Sequence, residues 1–139
     1  MNTDDLTNDV YSNEAIMKTI LIIEDNDDNM KLISFILEKN GYRTIRAVNG
    51  REGIDMAIKE SPDLVLLDIQ LPDMNGIEVL EIIRHSESNG SLPIVAVTSF
   101  AMSGDRQRLL SSGCNGYIEK PINPETIMEE IRRYAGDPS

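Results

Sequence analysis

The stretch Asp63-Leu-Val-Leu-Leu-Asp68 decides how the rest of this chain is interpreted. Its four consecutive apolar residues, bounded by Pro62 and by Leu71-Pro72-Asp73, are typical of a fully buried parallel strand. The strand would end at Asp68, and in open α/β sheets ligands bind beyond that end of the strands. An isolated aspartate there is most often a turn or helix-cap residue. A chemical role for Asp68 therefore requires partners from elsewhere in the sequence.

Length, composition and charge favour one acidic domain with protein partners. The chain has 139 residues, of which 40% are apolar and 27% charged, as in a soluble domain with a sizeable core. The net charge of -11 disfavours a nucleic-acid partner or an anionic membrane surface. No apolar run approaches the length of about 20 residues that spans a bilayer, and no secretory signal is found. A single cysteine, Cys114, agrees with a reducing compartment, so we expect a cytoplasmic protein.

Apolar strands alternate with helical patterns along the chain. We predict strands near residues 19–23, 42–48, 63–68, 93–97 and 116–119. Five helices are predicted, of which the fourth, at residues 102–112, is less clearly patterned, and Ile54, Ala57 and Ile58 should face inward in the second. Short loops predict right-handed crossovers and a parallel sheet with helices on both faces. We therefore expect a doubly wound, flavodoxin-like α/β fold with strand order 2-1-3-4-5.

The sequence predicts three segments. Residues 1–17 are rich in Asp and Asn with little apolar periodicity, so we expect a flexible or weakly docked N-terminal extension. The folded domain should occupy residues 18–135, followed by a short C-terminal tail at 136–139. Because no room remains for a second output domain, we expect a stand-alone domain that acts by associating with other proteins.

The predicted strand order brings polar residues from four strand ends to one edge of the sheet. They are Glu24, Asp25, Asp68, Thr98 and Lys120. Crowded carboxylates repel one another, and a hard divalent cation such as Mg²⁺ relieves that repulsion. Lys120 can hold an anionic oxygen, to which Thr98 and Ser99 can donate hydroxyl hydrogen bonds. The carboxylate of Asp68 would then serve as the nucleophile toward phosphorus.

Several short motifs, in the right order, resemble one family. They are Glu24-Asp25, the strand ending at Asp68, Leu71-Pro72-Asp73-Met74-Asn75-Gly76, Val97-Thr98-Ser99 and Gly116-Tyr117-Ile118-Glu119-Lys120-Pro121. From Lys18 to Tyr134 the chain resembles the receiver domain of two-component response regulators. Runs such as Asn29-Met30-Lys31-Leu32 and Asp68-Ile69-Gln70-Leu71-Pro72 are most similar to single-domain regulators of the DivK type and to receiver modules of hybrid kinases.

The resemblance implies a phosphorylation site with a bound metal ion. Asp68 would accept a phosphoryl group from a phosphohistidine on a histidine kinase or a histidine phosphotransfer protein. Mg²⁺, or Mn²⁺ in its place, would be bound by Asp25 and Asp68, by Glu24 through water, and by the backbone carbonyl of Gln70. The family more often has an aspartate where this chain has Glu24.

The resemblance also implies how such a domain signals. Thr98 moves toward the phosphoryl group and Tyr117 turns inward, which reshapes the face formed by the fourth helix, fifth strand and fifth helix for a downstream protein. Lys120-Pro121 matches the cis peptide bond of the family. Gln70 and Phe100 would flank the path of the hydrolytic water, and the bulk of Phe100 predicts a persistent phosphoaspartate. Beyond its own phosphorylation and slow hydrolysis we expect no enzyme activity, and we expect a monomer or weak dimer.

Four alternatives compete with a stand-alone receiver. The chain could be a receiver module of a hybrid histidine kinase, or a receiver-like binding module that works without phosphate. Asp68, Thr98 and Lys120 together count against the second of these. A haloacid dehalogenase-like phosphatase also uses a strand-end aspartate and Mg²⁺, but it requires a second aspartate where this chain has Gln70. A flavodoxin-like nucleotide binder is disfavoured because the first loop is acidic rather than rich in Gly, Ser and Thr, and would repel a phosphate in the absence of a metal ion.

Overall fold

A five-stranded parallel sheet forms the centre of the structure, a computed structural model that describes residues 17–86, 91–99 and 103–139. The strands are β1 (Thr19–Ile23), β2 (Arg43–Ala47), β3 (Leu64–Asp68), β4 (Ile94–Thr98) and β5 (Gly116–Glu119). They are hydrogen-bonded in the order β2-β1-β3-β4-β5, and every neighbouring pair is parallel. The predicted α/β fold and its strand order are therefore confirmed.

Five helices in the described part of the chain cover the two faces of this sheet. They are α1 (Asp27–Lys39), α2 (Gly50–Glu60), α3 (Gly76–Ser86), α4 (Ser103–Ser111) and α5 (Pro124–Ala135). Asparagines cap the amino ends of α1, α2 and α5, where Asn26, Asn49 and Asn123 accept backbone N–H bonds with their side chains. These caps satisfy amides that have no partner within the helix, and so they fix where each helix begins.

The sheet separates two apolar layers. Alternate strand residues point to opposite faces, so Ile20 and Ile22 pack with α1 and α5, whereas Leu21 and Ile23 pack with α2, α3 and α4. Strand β3 is buried along its whole length, including Asp68. Burial on both faces explains why its sequence is apolar without alternation. The two layers thereby hold the carboxyl end of β3 in a fixed place.

The inward face of α2 differs from the prediction at one residue. Ile54 and Ala57 are buried as predicted, but Ile58 is 55% exposed, so that part of the prediction is wrong. The buried stripe of α2 runs through Gly53, Ile54 and Ala57. Because successive helix residues are about 100° apart, Ile58 falls beyond the edge of this stripe.

Both ends of the described chain lie at the amino edge of the sheet. The Lys18 N–H donates to the carbonyl of Pro138 over 2.8 Å, and the hydroxyl of buried Tyr42 donates to the carbonyl of Gly136. The predicted tail is thus bonded to the domain, while residues 1–16 of the predicted extension lie outside the described residues. Among the helices described, none has the length and apolar character needed to cross a membrane.

Candidate functional site

Polar residues from several strand ends meet at the carboxyl edge of the sheet. They are Glu24 and Asp25 after β1, Asp68 at the end of β3, Thr98 at the end of β4 and Lys120 after β5. The parallel register of β3, β4 and β5 brings these strand ends level with one another. The fold thus gathers the residues that the strand order predicted to meet.

Three carboxylates form the acidic part of this edge. Glu24, Asp25 and Asp68 each offer an oxygen, and these atoms lie within 4.8 Å of one another. Glu24 and Asp68 are 2% and 3% exposed, whereas Asp25 is open to solvent. Two negative groups are therefore held in the protein interior, and the third faces the direction from which a ligand would arrive.

One cation, Lys120, bridges the two buried carboxylates. Its Nζ lies 3.1 Å from Asp68 Oδ2 and 3.3 Å from Glu24 Oε1. Burial lowers the pKa of Lys120, but the charge of Asp68, the hydrogen bond to Asp68 and the charge of Glu24 outweigh burial, and the pKa lies above its ordinary value of 10.5. Because its pKa is raised, Lys120 is a permanent positive charge beside Asp68. The Lys120–Pro121 peptide bond that follows it is cis.

The charged form of Glu24 is destabilised despite the nearby Lys120. Burial, followed by the hydrogen-bonding and charge effects of the Asp68 carboxyl, raises the pKa of Glu24 from 4.5 to about 7. The Asn26 backbone N–H donates to Glu24 Oε2 over 3.2 Å and partly offsets the rise, as does the charge of Lys120. Glu24 Oε1 is buried, and its 3.3 Å contact with Lys120 Nζ is an ion pair that lacks the geometry of a hydrogen bond. The site thus contains a buried oxygen that lacks a full set of partners.

The donor set fits a hard divalent cation. Mg²⁺ prefers oxygen ligands and usually takes one or two protein carboxylates, with water and phosphate oxygens completing its shell. A positive ion among these carboxylates would give Glu24 Oε1 a second cationic partner and reduce the repulsion between Glu24 and Asp68. The arrangement can therefore hold a metal ion and draw anionic phosphate oxygens toward Asp68.

The remaining predicted residues lie around this centre. Thr98 is buried, and its carbonyl accepts the Lys120 backbone N–H over 2.9 Å, whereas Ser99 is exposed. Tyr117 is half-buried in β5, with the guanidinium carbon of Arg106 4.7 Å from the centre of its ring. Phe100 lies outside the described residues.

The loop after β3 is bonded directly to the phosphoacceptor candidate. The Gln70 N–H donates to Asp68 Oδ1 over 3.0 Å, and Gln70 pairs with Asn75 in an isolated antiparallel bridge. The sequence predicts only a turn at Asp73, but its carboxylate binds the first two amides of α2. No local pattern could reveal these contacts, because they join residues more than twenty positions apart.

This chain is similar to known proteins over most of its length. The model of the response regulator receiver domain matches residues 20–132. The polar-differentiation response regulator DivK of Brucella anthropi is 45% identical over 120 residues, which are 86% of this chain and 98% of that protein.

Two solved structures resemble it in both sequence and fold. One is the receiver domain of a sensor histidine kinase from Pseudomonas aeruginosa, described with a magnesium ion coordinated in the active site cleft; it is 31% identical, with a TM-score of 0.80, over 87% of this chain and 99% of that chain. The other comes from the Saccharomyces cerevisiae co-crystal of the histidine phosphotransfer protein Ypd1 and the receiver domain of the response regulator Ssk1. It is 29% identical, with a TM-score of 0.80, over 86% of this chain and 89% of that chain. The chain therefore belongs to the receiver domain family of the response regulators of two-component signalling, and it is DivK-like.

Proposed function

We propose that this receiver takes a phosphoryl group from a phosphohistidine onto Asp68. The observation that carries the proposal is the buried Asp68 carboxylate, which is ion-paired with Lys120 and grouped with the carboxylates of Glu24 and Asp25. A histidine kinase or a histidine phosphotransfer protein would supply the group. The similar yeast receiver domain, crystallised with a histidine phosphotransfer protein, supports the second source.

The transfer is a single displacement at phosphorus. An Asp68 carboxylate oxygen forms the new O–P bond as the P–N bond of the phosphohistidine breaks. The imidazole nitrogen keeps the electron pair of the broken bond and takes a proton from solvent. Such transfer depends mainly on alignment and charge neutralisation, because little other covalent chemistry is needed. The fixed end of β3 and the charge of Lys120 supply both requirements.

We infer that the site works with Mg²⁺, or with Mn²⁺ in its place. Its ligands would be Asp25, Asp68, the backbone carbonyl of Gln70, and Glu24 through water. When bound, the ion neutralises the charge of the carboxylates and of the transferring phosphoryl oxygens. The magnesium described in the similar Pseudomonas receiver domain supports this assignment.

The other residues hold the phosphoryl group and transmit its presence. Lys120 would pair with one phosphoryl oxygen, and the hydroxyls of Thr98 and Ser99 would donate to another. Thr98 and Tyr117 would change position together and reshape the α4–β5–α5 face for a protein partner. Output would then occur by protein association or phosphorelay, whether the receiver acts alone or within a longer kinase.

Two further features complete the proposal. Gln70 and Phe100 would flank the path of water to the phosphoaspartate. Because Phe100 is bulky and apolar, it would screen that path, and the phosphoaspartate should hydrolyse slowly. Apart from its own phosphorylation and slow hydrolysis, the domain would have no catalytic activity.

The buried free thiol of Cys114 is compatible with the reducing cytoplasm, where the kinase domains of two-component systems would meet this receiver.

Intact-mass measurement tests the phosphoacceptor directly. The protein is incubated with Mg²⁺ and a small phosphoramidate or acyl phosphate, with EDTA in a parallel sample. We expect wild type to gain one phosphoryl group only with Mg²⁺, and Asp68→Asn to gain none. Asp63→Asn is the matched control, since Asp63 is an exposed aspartate directly before the opposite end of β3 and its side chain accepts a hydrogen bond from the Thr19 N–H. Equal labelling of wild type and Asp68→Asn would show that another residue is the acceptor.

A further inference from the structure

Asp73 joins the loop after the phosphoacceptor strand to a different helix. It lies between β3 and α3, and its two carboxylate oxygens accept hydrogen bonds from successive amides at the start of α2. Oδ1 accepts from the Gly50 N–H over 2.8 Å, and Oδ2 accepts from the Arg51 N–H over 3.0 Å. One side chain therefore ties two elements that are distant in the sequence.

The amino end of α2 depends on Asp73 for half of its free amides. The first four N–H groups of any helix lack partners within the helix. In α2 these groups belong to residues 49–52, and the cap side chain of Asn49 satisfies the one of Glu52. Two more, of Gly50 and Arg51, bond to Asp73. The Arg51 and Gly50 amides also hold the pKa of Asp73 below its ordinary value, so the carboxylate is charged at neutral pH.

A packing contact reinforces this link. The side chain of Met74 lies against Gly50 so closely that a Cβ added at Gly50 would be 2.4 Å from Met74 Cγ. Only glycine permits this approach of the loop to the helix. Two consecutive loop residues, Asp73 and Met74, thus dock on the same first turn of α2.

The docked loop leads straight to the candidate metal site. Gln70 and Asn75 close its base through their antiparallel bridge, and the Gly76 N–H donates to the Ile69 carbonyl over 2.9 Å. From this base the Gln70 N–H donates to Asp68 Oδ1. The contacts from α2 to the Asp68 carboxylate therefore run through the hydrogen bonds of Asp73, the loop closed by Gln70 and Asn75, and the hydrogen bond from Gln70 to Asp68.

We propose that Asp73 is a positioning residue for metal binding at Asp68. By fixing the loop to α2, it sets the place of the Gln70 backbone and of the Asp68 carboxylate that the Gln70 amide orients. This inference rests on the proposed function, since it assigns a task within the same site. The competing role is that of a simple helix cap, which would stabilise α2 without influencing the site.

Asp73→Ala and Asn49→Ala separate these two roles. Each variant removes hydrogen bonds from the amino end of α2, but only Asp73→Ala frees the loop. Asp73→Asn provides a milder change that keeps one acceptor oxygen. For each full-length variant, thermal unfolding is followed by circular dichroism, amide exchange of Gln70 and Gly76 by NMR without metal, and Mn²⁺ affinity by the electron paramagnetic resonance of the free ion.

Positioning predicts that Asp73→Ala weakens Mn²⁺ binding about 10-fold, the usual scale for loss of a residue that orients a metal ligand. It also predicts faster amide exchange at Gln70 and Gly76 in the metal-free variant. Asn49→Ala should lower the melting temperature while leaving Mn²⁺ affinity and both exchange rates unchanged, and Asp73→Asn should fall between wild type and Asp73→Ala.

Two results would overturn the inference in distinguishable ways. Wild-type Mn²⁺ affinity and exchange rates in a folded Asp73→Ala or Asp73→Asn would reduce Asp73 to a helix cap and leave the proposed function intact. Failure of the wild type itself to bind Mn²⁺ would overturn the proposed metal-dependent function, and the positioning role with it.

Discussion

Replacing Glu24 by glutamine should stabilise the metal-free protein at alkaline pH. Glu24 is buried beside Asp68, and one of its oxygens accepts no hydrogen bond. Glutamine has nearly the same shape, can still accept the Asn26 N–H, and can donate to the Asp68 carboxylate. The substitution therefore removes the unfavourable charge and leaves the packing almost unchanged.

The size of the effect follows from the raised pKa. Glu24 ionises near pH 4.5 in the unfolded chain and near pH 7 in the folded protein. At about 1.4 kcal/mol per pKa unit, folding loses about 3 kcal/mol as pH rises from below 4.5 to above 7. The native state binds the extra proton in this window, so stability is greatest on the acid side. Glu24→Gln removes this loss, and its gain should be about 3 kcal/mol at pH 8.5 and less than about 1 kcal/mol at pH 5.

Urea unfolding in EDTA, followed by far-ultraviolet circular dichroism at both pH values, measures this difference. Glu129→Gln is the control, since it makes the same charge change at an exposed position on α5 and should alter the free energy of unfolding by no more than about 0.5 kcal/mol. Saturating Mg²⁺ should stabilise the wild type more than Glu24→Gln, because a bound ion would be attracted to the negative charge of Glu24, directly or through water. A gain of equal size at pH 5 and pH 8.5 would mean that the Glu24 charge is not its source.

Two substitutions in the core should change stability in opposite directions, again measured by urea unfolding. Ser34 in α1 is 1% exposed and its Oγ has no hydrogen-bond partner, so Ser34→Ala should stabilise the protein by about 1 kcal/mol; destabilisation would reveal a partner for the hydroxyl. A Cβ at Gly53 in α2 would lie 2.5 Å from Ile23 Cδ1, so Gly53→Ala should destabilise by about 1–2 kcal/mol despite the better helix propensity of alanine. A net gain in stability would show that Ile23 moves aside freely.

Much of the fold could be predicted from the sequence because its central strands are buried on both faces. The run Leu64–Leu67 is apolar without alternating polar residues, and this pattern indicates a strand that is covered on both faces. Strands of that kind are typical of parallel sheets, so the run predicted the parallel sheet. Helix faces were less certain. Ile58 continues the apolar spacing of α2 but is exposed, because spacing shows which residues share a stripe and not how wide the buried stripe is.

The site was predictable only as far as strand ends determine it. Strand order alone placed Asp68, Glu24 and Lys120 together, since parallel strands end at one edge. The deep burial of Glu24 depends on how the loop after β1 leaves the sheet, and no local pattern encodes that path. The contacts of Asp73 depend on α2 and the β3–α3 loop meeting in space, which spacing within either segment cannot show.

Lys120 connects the charge of the site to the surface that would signal. Its Nζ pairs with Asp68, its backbone N–H bonds the Thr98 carbonyl, and it directly follows the strand that carries Tyr117. A phosphoryl group on Asp68 would use one of its carboxylate oxygens in the new bond and offer new anionic oxygens farther from the sheet. The ion pair of Lys120 would therefore have to shift outward, and Glu24 would lose part of its only cationic contact among the described residues. Because the Lys120 backbone is bonded to Thr98 and Thr98 lies in the strand paired with β5, that shift would pass directly to the edge of the α4–β5–α5 face.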